Sequence, residues 1–459
     1  MSSAVASTNR KWSSSLMFFA AAIGSAVGIS NIWKFTYVAG ENGGGAFVLV
    51  FIVAIIFIAM PALTAEFLIG RRGGASVEKT MENLAGRDGI NPAWRYYGLM
   101  AVIGAFLALS FYSVVAGWTI DYFIQSLRDG FSGITADRSG EKLDNMMSNP
   151  LRMMASQLAF LTLTVSVVAA GIRGGLERTL KWMTPALFVI LLILLIYAFI
   201  AGDFAAALRF MFIPDFSQLD ANTVLMAVGQ AFFSLGIGLG VLMTVAAYMD
   251  RKTSILKAAA VVAFADGFVS LLAGMAIFPI VFANNLSPAE GPGLIFATLP
   301  VAFGQIPGGE IVGPLFFLLM AFAALTSAIT ILETIVAWGE DYTRLSRKSF
   351  AYLCGGLLWL AGLATVFSFN IWADVRPASW LPALSEKNIF GVLDYLVSNI
   401  MMPIGGVAVA VLAGWSLSKK SSLDELAIDE GSLFIFWRFL VRYLVPVAIA
   451  LLFLVNLGS

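Results

Sequence analysis

Apolar runs long enough to cross a lipid bilayer recur along the whole of this 459-residue chain, and they constrain its fold more than any other feature. Residues 47–69, 182–201 and 433–457 are three of them. A hydrocarbon layer of about 30 Å needs roughly 20 helical residues to span it, and each run is long enough. Transmembrane β-strands would alternate apolar and polar positions over ~10 residues, and these runs do not. Charged residues supply only 12% of the chain, against about 25% in a soluble domain. The sequence therefore predicts an all-α polytopic membrane protein, a single transmembrane unit over residues 1–459.

Marking apolar runs between polar clusters gives eleven helices, at 13–39, 44–70, 97–126, 153–170, 182–201, 223–248, 255–284, 311–338, 350–370, 389–415 and 433–457. With the N-terminus inside, the cytoplasmic segments collect the basic pairs Arg71-Arg72, Arg251-Lys252, Arg347-Lys348 and Lys419-Lys420. The outer segments hold scattered Arg128, Arg138, Lys142, Arg152, Arg209, Arg376 and Lys387. That asymmetry predicts an inner-membrane protein with a cytoplasmic N-terminus and an external C-terminus. Residues 1–12 are short and polar with no cleavage pattern, so no removable signal peptide is expected.

The chain contains no histidine and one cysteine, Cys354, within an apolar run. Ser-His-Asp and Cys-His catalysis, histidine-ligated metals, histidine proton relays and internal disulfides are excluded together. No paired carboxylates share a depth, so a membrane enzyme is not expected. Net charge is zero with no polybasic block, which disfavours nucleic acid as a partner. Nothing in the sequence specifies an oligomeric state.

Two helices carry glycine where a helix should be strongest. The first contains Gly24 and Gly28 near Asn31, and the sixth contains Gly236, Gly238 and Gly240 after Ser234. Glycine costs a helix about 1 kcal/mol relative to alanine, so both are candidate points of unwinding. They lie five helices apart, as matching positions of two five-helix repeats would, and paired interrupted helices mark midplane binding sites in transporters. Close packing is the alternative, since Gly24 and Gly28 also form a GxxxG face.

Four strings in these places resemble the neurotransmitter:sodium symporter family. They are Ser25-Ala-Val-Gly-Ile-Ser-Asn-Ile-Trp-Lys-Phe35 in helix 1 and Glu41-Asn-Gly-Gly-Gly-Ala-Phe47 before helix 2, with Gly229-Gln-Ala-Phe-Phe-Ser-Leu235 in helix 6 and Ala323-Ala-Leu-Thr-Ser327 in helix 8. The resemblance implies two inverted five-helix repeats, about 13–201 and 223–415, with helix 11 at 433–457 added. It implies sodium-coupled import of a small amino acid by alternating access, with sodium at two sites and the lipid bilayer as surroundings. Relatives also carry non-α amino acids and osmolytes such as taurine or GABA, and a channel or substrate sensor on this scaffold is a further alternative.

By the same resemblance, the first sodium would be held by the carbonyls of Ala26 and Ser234 with the side chains of Asn31, Ser234 and Asp266. The second would use the carbonyls of Gly24, Val27 and Ala323 and the hydroxyls of Thr326 and Ser327. Those hydroxyls could instead bond back to their own helix. Asp266 stands out independently, because a carboxylate within an apolar helix costs about 3 kcal/mol even on a lenient scale. Chloride-dependent relatives hold the anion nearby. Here Ser234 and Ser270 match that anion site, but Phe51 replaces its tyrosine, so Asp266 is expected to supply the negative charge and chloride not to be required.

The substrate site implied is Ser25, Ala26, Ile29, Ser30, Ala108, Tyr112, Phe233, Ser234, Gly236, Leu239, Ser327 and Ile331. Free N–H groups near Ile29 and Ser30 suit a carboxylate, with the Tyr112 hydroxyl as second donor. Gly28 stands where monoamine carriers have aspartate, which disfavours an amine-only substrate, and Ser30 replaces the usual glycine. Gly236 and Gly238 are expected to open room for apolar side chains of varied size. Lys34 and Asp394 match an external gate, Phe233 and Tyr112 an inner lid, and Arg10 with Asp341 a cytoplasmic closure. Glu66 reads as a structural buried acid. Gly175 and Pro185, ten residues apart at the start of helix 5, could let that helix unwind or simply begin it.

Overall fold

Backbone amides cannot be left unpaired in hydrocarbon, so every membrane crossing must satisfy its own hydrogen bonds. The computed structural model describes residues 11–289, 291 and 293–458, and nine crossings are continuous helices. They are α2 (Gly45–Gly73), α3 (Arg95–Asp129), α4 (Pro150–Ala169), α5 (Ile172–Ala201), α7 (Ile255–Ala283), α8 (Gly309–Tyr342), α9 (Arg347–Phe367), α10 (Ile389–Ser416) and α11 (Ser432–Val455). Two more are broken. The halves of α1, α1a (Ser15–Ala26) and α1b (Ser30–Glu41), meet at 49°. Those of α6, α6a (Ala221–Ser234) and α6b (Val241–Ala247), are separated by residues 235–240. Among the described residues, nine of the eleven expected spans are continuous, the first is a bent pair, and the sixth is two short helices on either side of a break.

The helix starts follow local chemistry. Ser14, Asn149, Asp220 and Ser346 each accept a backbone N–H of the first turn, capping α1a, α4, α6a and α9. α5 starts at Ile172, ten residues before the expected 182, because Arg178 and Lys181 mask a helix that continues past the apolar run. α3 and α8, at 35 and 34 residues, are about 50 Å long and must tilt within a thinner hydrocarbon layer. They pack along each other at the centre of the molecule.

Short connecting helices went unseen in the apolar pattern: Val77–Asp88, Ala136–Met147, Phe204–Phe212, Leu294–Gln305 and Lys419–Leu426. Leu294–Gln305 is apolar, and the others are amphipathic or charged. Lys419–Leu426 is joined to α2 by buried ion pairs: Arg71 meets Glu425, and Arg72 bridges Asp88 and Glu425. Cys354 is buried and free on α9.

Candidate substrate and ion site

The break in α6 is made by glycine backbone. Gly236, Gly238 and Gly240 have φ of +62°, +100° and +70°, conformations that cost other residues roughly 1–2 kcal/mol each. The two expected room-makers differ. A Cβ at Gly236 would meet open space, whereas one at Gly238 would lie 2.4 Å from the Met402 carbonyl and 2.8 Å from Gly406 N. Gly238 therefore lets α6 touch α10 and, contrary to expectation, opens no room for a substrate. Its freed N–H is not wasted: it donates to Glu66 Oε1 at 2.8 Å, which ties α2 to the break.

The break in α1 is capped by a side chain. Asn31 Oδ1 accepts the Gly28 N–H at 2.9 Å, while Asn31 Nδ2 donates to Asp266 Oδ1 at 2.7 Å and to Ser270 Oγ at 3.0 Å. Ser234 Oγ donates to Asp266 Oδ2 at 2.7 Å. A fully buried carboxylate on α7 thus joins α1 to α6a beside both breaks. Ser270 Oγ donates to the Asp266 carbonyl at 3.1 Å, so both serine hydroxyl protons of the expected anion site are committed to Asp266. Phe51 packs into an apolar cluster with Phe35 and Phe47, 4.9 Å and 6.2 Å between centroids.

The second group of expected ion ligands is also brought together. A Cβ at Gly24 would lie 3.4 Å from Thr326 Cβ, which places α1a against α8. Thr326 Oγ1 donates to the Ala323 carbonyl at 3.1 Å, and Ser327 Oγ to the Ser25 carbonyl at 3.1 Å. Thr326 thus bonds back to its own helix, and Ser327 reaches across to α1. Both hydroxyl oxygens keep a lone pair. Val27, where α1a ends, lies buried in the same region.

All twelve expected substrate residues line one cavity of about 340 Å³: Ser25, Ala26, Ile29, Ser30, Ala108, Tyr112, Phe233, Ser234, Gly236, Leu239, Ser327 and Ile331. The Tyr112 hydroxyl lies at the α1 break, 3.4 Å from the Ala324 carbonyl. A Cβ at Gly28 would fall 2.7 Å from Ser327 Oγ and 3.8 Å from that hydroxyl, so an aspartate there would have to displace the Ser327 hydroxyl. The sequence reading missed the α10 wall, formed by Phe390, Val397, Ser398 and Met402, and also Phe111, Val115 and Trp33. The substrate-site strings run through helices 1, 6 and 8, and nothing in them points to α10.

Lys34 and Asp394 both line the cavity, but among the described residues no ion pair joins them. The Lys34 ammonium instead lies 3.7 Å from the Phe233 ring centroid, and Asp394 accepts from Ser398 Oγ at 2.8 Å. Arg10 lies outside the described residues, and Asp341 accepts from Ser76 N at 3.0 Å. A strap the sequence did not suggest is made by Trp12. Its indole donates to the Val245 carbonyl of α6b at 2.9 Å, and the neighbouring Ser13 N–H donates to Glu177 of α5. α5 is wound throughout. A Cβ at Gly175 would lie 1.9 Å from the Val167 carbonyl, so that glycine serves packing against α4 in this structure.

Two broken crossings that meet at a buried cavity rich in oxygen ligands define a secondary transporter. The profile of the sodium:neurotransmitter symporter family matches residues 9–139 and 137–457, and the chain belongs to that family of sodium-dependent transporters. The sodium-dependent transporter YhdH of Bacillus subtilis is 36% identical over 451 residues, 98% of each chain. A sodium-dependent transporter of Haemophilus influenzae is 32% identical, over 98% of this chain and 99% of its own. The crystal structure of MhsT in complex with L-phenylalanine matches with a TM-score of 0.88 and 38% identity, covering 97% of this chain and 99% of that one.

Proposed function

We propose that this protein imports a small hydrophobic α-amino acid with sodium by alternating access, its two repeats (about 13–201 and 223–415) moving around the cavity. The observation that carries the reading is a cavity that joins polar groups at the α1 break to apolar side chains of the surrounding helices. At the α1 break it offers the Tyr112 hydroxyl, Ser327 and backbone, which suits a carboxylate. Ala108, Val115, Phe233, Leu239 and Ile331 supply apolar wall, and Lys34 and Asp394 line the cavity as well. The phenylalanine in MhsT supports the same class of substrate. Trp12 holds the N-terminal side shut while Lys34 and Asp394 stand unpaired, the arrangement expected of a carrier closed to the cytoplasm.

The two proposed sodium sites share the oxygens already described. Asn31, Ser234 and Asp266 with the Ala26 and Ser234 carbonyls would hold one ion. Thr326 and Ser327 with the carbonyls of Gly24, Val27 and Ala323 would hold the other. Several oxygen ligands, some of them carbonyls freed by unwinding, suit sodium. Asp266 supplies a negative charge that chloride would otherwise bring, and the commitment of Ser234 and Ser270 to it supports chloride independence. The distribution of basic clusters supports an N-terminus in the cytoplasm and a C-terminus outside.

The test is uptake into proteoliposomes under an inward sodium gradient, across apolar α-amino acids, taurine and GABA. Concentrative uptake of apolar α-amino acids is expected. Uptake undiminished when potassium or choline replaces sodium would overturn the symport. Selective uptake of taurine or GABA would overturn the substrate class.

A further inference from the structure

The arginines that hold the Lys419–Leu426 connector to α2 have carboxylate partners, Arg71 with Glu425 and Arg72 with Asp88. Two arginines one helical turn apart on α11 do not. Arg438 Nη2 donates to the Leu417 carbonyl at 3.2 Å, and Arg442 Nε to the Gly414 carbonyl at 2.5 Å. Both acceptors lie at the carboxyl end of α10, where carbonyls lack helical partners. A glycine at 414 permits this approach, because a Cβ there would fall 2.9 Å from Arg442 Cγ.

The charge does not balance. The end of a helix presents about half a negative charge, against two full positive ones. Arg438 is 9% exposed and its Nη1 has no hydrogen-bond partner. No carboxylate forms an ion pair with either arginine among the described residues. Arg442 is partly exposed, and its guanidinium lies 5.2 Å from the Trp415 ring. Trp415 is 54% exposed and meets Tyr443 edge-on, and Tyr443 packs on Phe439. Exposed tryptophan and tyrosine beside arginine mark the headgroup layer of a bilayer.

We propose that Arg442, backed by Arg438, binds the phosphate of an anionic phospholipid, whose acyl chains lie along the exposed Phe439 and Tyr443 face of α11. The guanidinium fork suits a phosphate oxygen pair, and the lipid supplies the negative charge that the protein omits. The site lies where α10 turns into α11, at the end of the bundle that carries Arg71 and Arg72, away from the substrate cavity.

The test measures thermal stabilisation of the purified transporter titrated with phosphatidylglycerol, with phosphatidylcholine of the same chains, or with glycerol 3-phosphate. We expect phosphatidylglycerol to stabilise the parent beyond phosphatidylcholine, and glycerol 3-phosphate to have no effect. Arg442→Gln should bind phosphatidylglycerol about fivefold more weakly, the share of one basic residue near an anionic surface, with its response to phosphatidylcholine unchanged. In the parent, added choline chloride at fixed sodium should weaken the phosphatidylglycerol effect by screening. Equal responses to the two lipids would overturn the proposal, as would an undiminished phosphatidylglycerol response in Arg442→Gln or insensitivity to choline chloride. Stabilisation by glycerol 3-phosphate alone would assign the arginines to a free anion and overturn the lipid.

Discussion

Asn31 Nδ2 and Asp266 Oδ1, 235 positions apart in the chain, are joined by a 2.7 Å hydrogen bond inside the bundle. The same amide group contacts Ser270, and its oxygen caps the broken first helix. One side chain therefore sets both the shape of the break and the orientation of the buried carboxylate. Asn31→Ala should reduce sodium-driven uptake to background. It should also destabilise the protein by about 1–3 kcal/mol, because buried groups lose partners. Uptake assays and thermal melts with and without sodium would check both.

The proposed role of Asp266 is to stand in for a bound anion. Unpaired ions in a low-dielectric site cost several kcal/mol each, so a sodium entering beside α7 needs a compensating negative charge. The parent should transport at full rate when gluconate replaces chloride, and Asp266→Asn should lose activity or become chloride-dependent. A parent that stops in gluconate would show that the carboxylate is not the counter-charge.

The Tyr112 hydroxyl stands at the first break, 3.8 Å from the place of a Cβ at Gly28, where the proposed site would receive a substrate carboxylate. Tyr112→Phe should weaken substrate binding by about 1–3 kcal/mol, the worth of a hydrogen bond to a charged group. Scintillation proximity binding at saturating sodium measures this without depending on turnover. Unchanged affinity would place the carboxylate elsewhere in the cavity.

Gly236 and Gly238 should respond differently to the same change. Gly238→Ala drives a Cβ into the Met402 carbonyl at φ +100°, so loss of folded protein is expected. Gly236→Ala has open space at φ +62°, so a strain of roughly 1–2 kcal/mol and a folded carrier are expected. The added methyl faces the cavity and should shift preference toward smaller side chains. Expression yield and a competition panel on the two variants check this.

These paired glycines also show where sequence reasoning reaches its limit. Both look alike in the string Gly236-Ile237-Gly238, and only the backbone angles and the approach of α10 separate them. The crossings were legible because hydrocarbon requires long apolar runs, and the breaks because glycine there conflicts with helix propensity. The strings in helices 1, 6 and 8 named residues that the fold brings into one cavity. The α10 wall, the Trp12 strap and the Arg438–Arg442 pair were not legible. Each arises from packing between distant segments, and none has a local pattern that distinguishes it from ordinary helix. The connecting helices escaped for a different reason: all are too short for a membrane-length window, and all but Leu294–Gln305 are also more polar.

The glycine-built break has an evolutionary corollary. Where glycine backbone touches a neighbouring helix, as Gly238 touches α10, no other side chain is admitted. Gly238 is therefore a fixed point of the break, and diversification is left to Gly236 and to the lining positions Ala108, Val115 and Ile331. Carriers that share this scaffold can drift from one cargo to another by altering volumes on α3 and α8. A directed library meant to change preference has its useful variation at Gly236 and on those two helices.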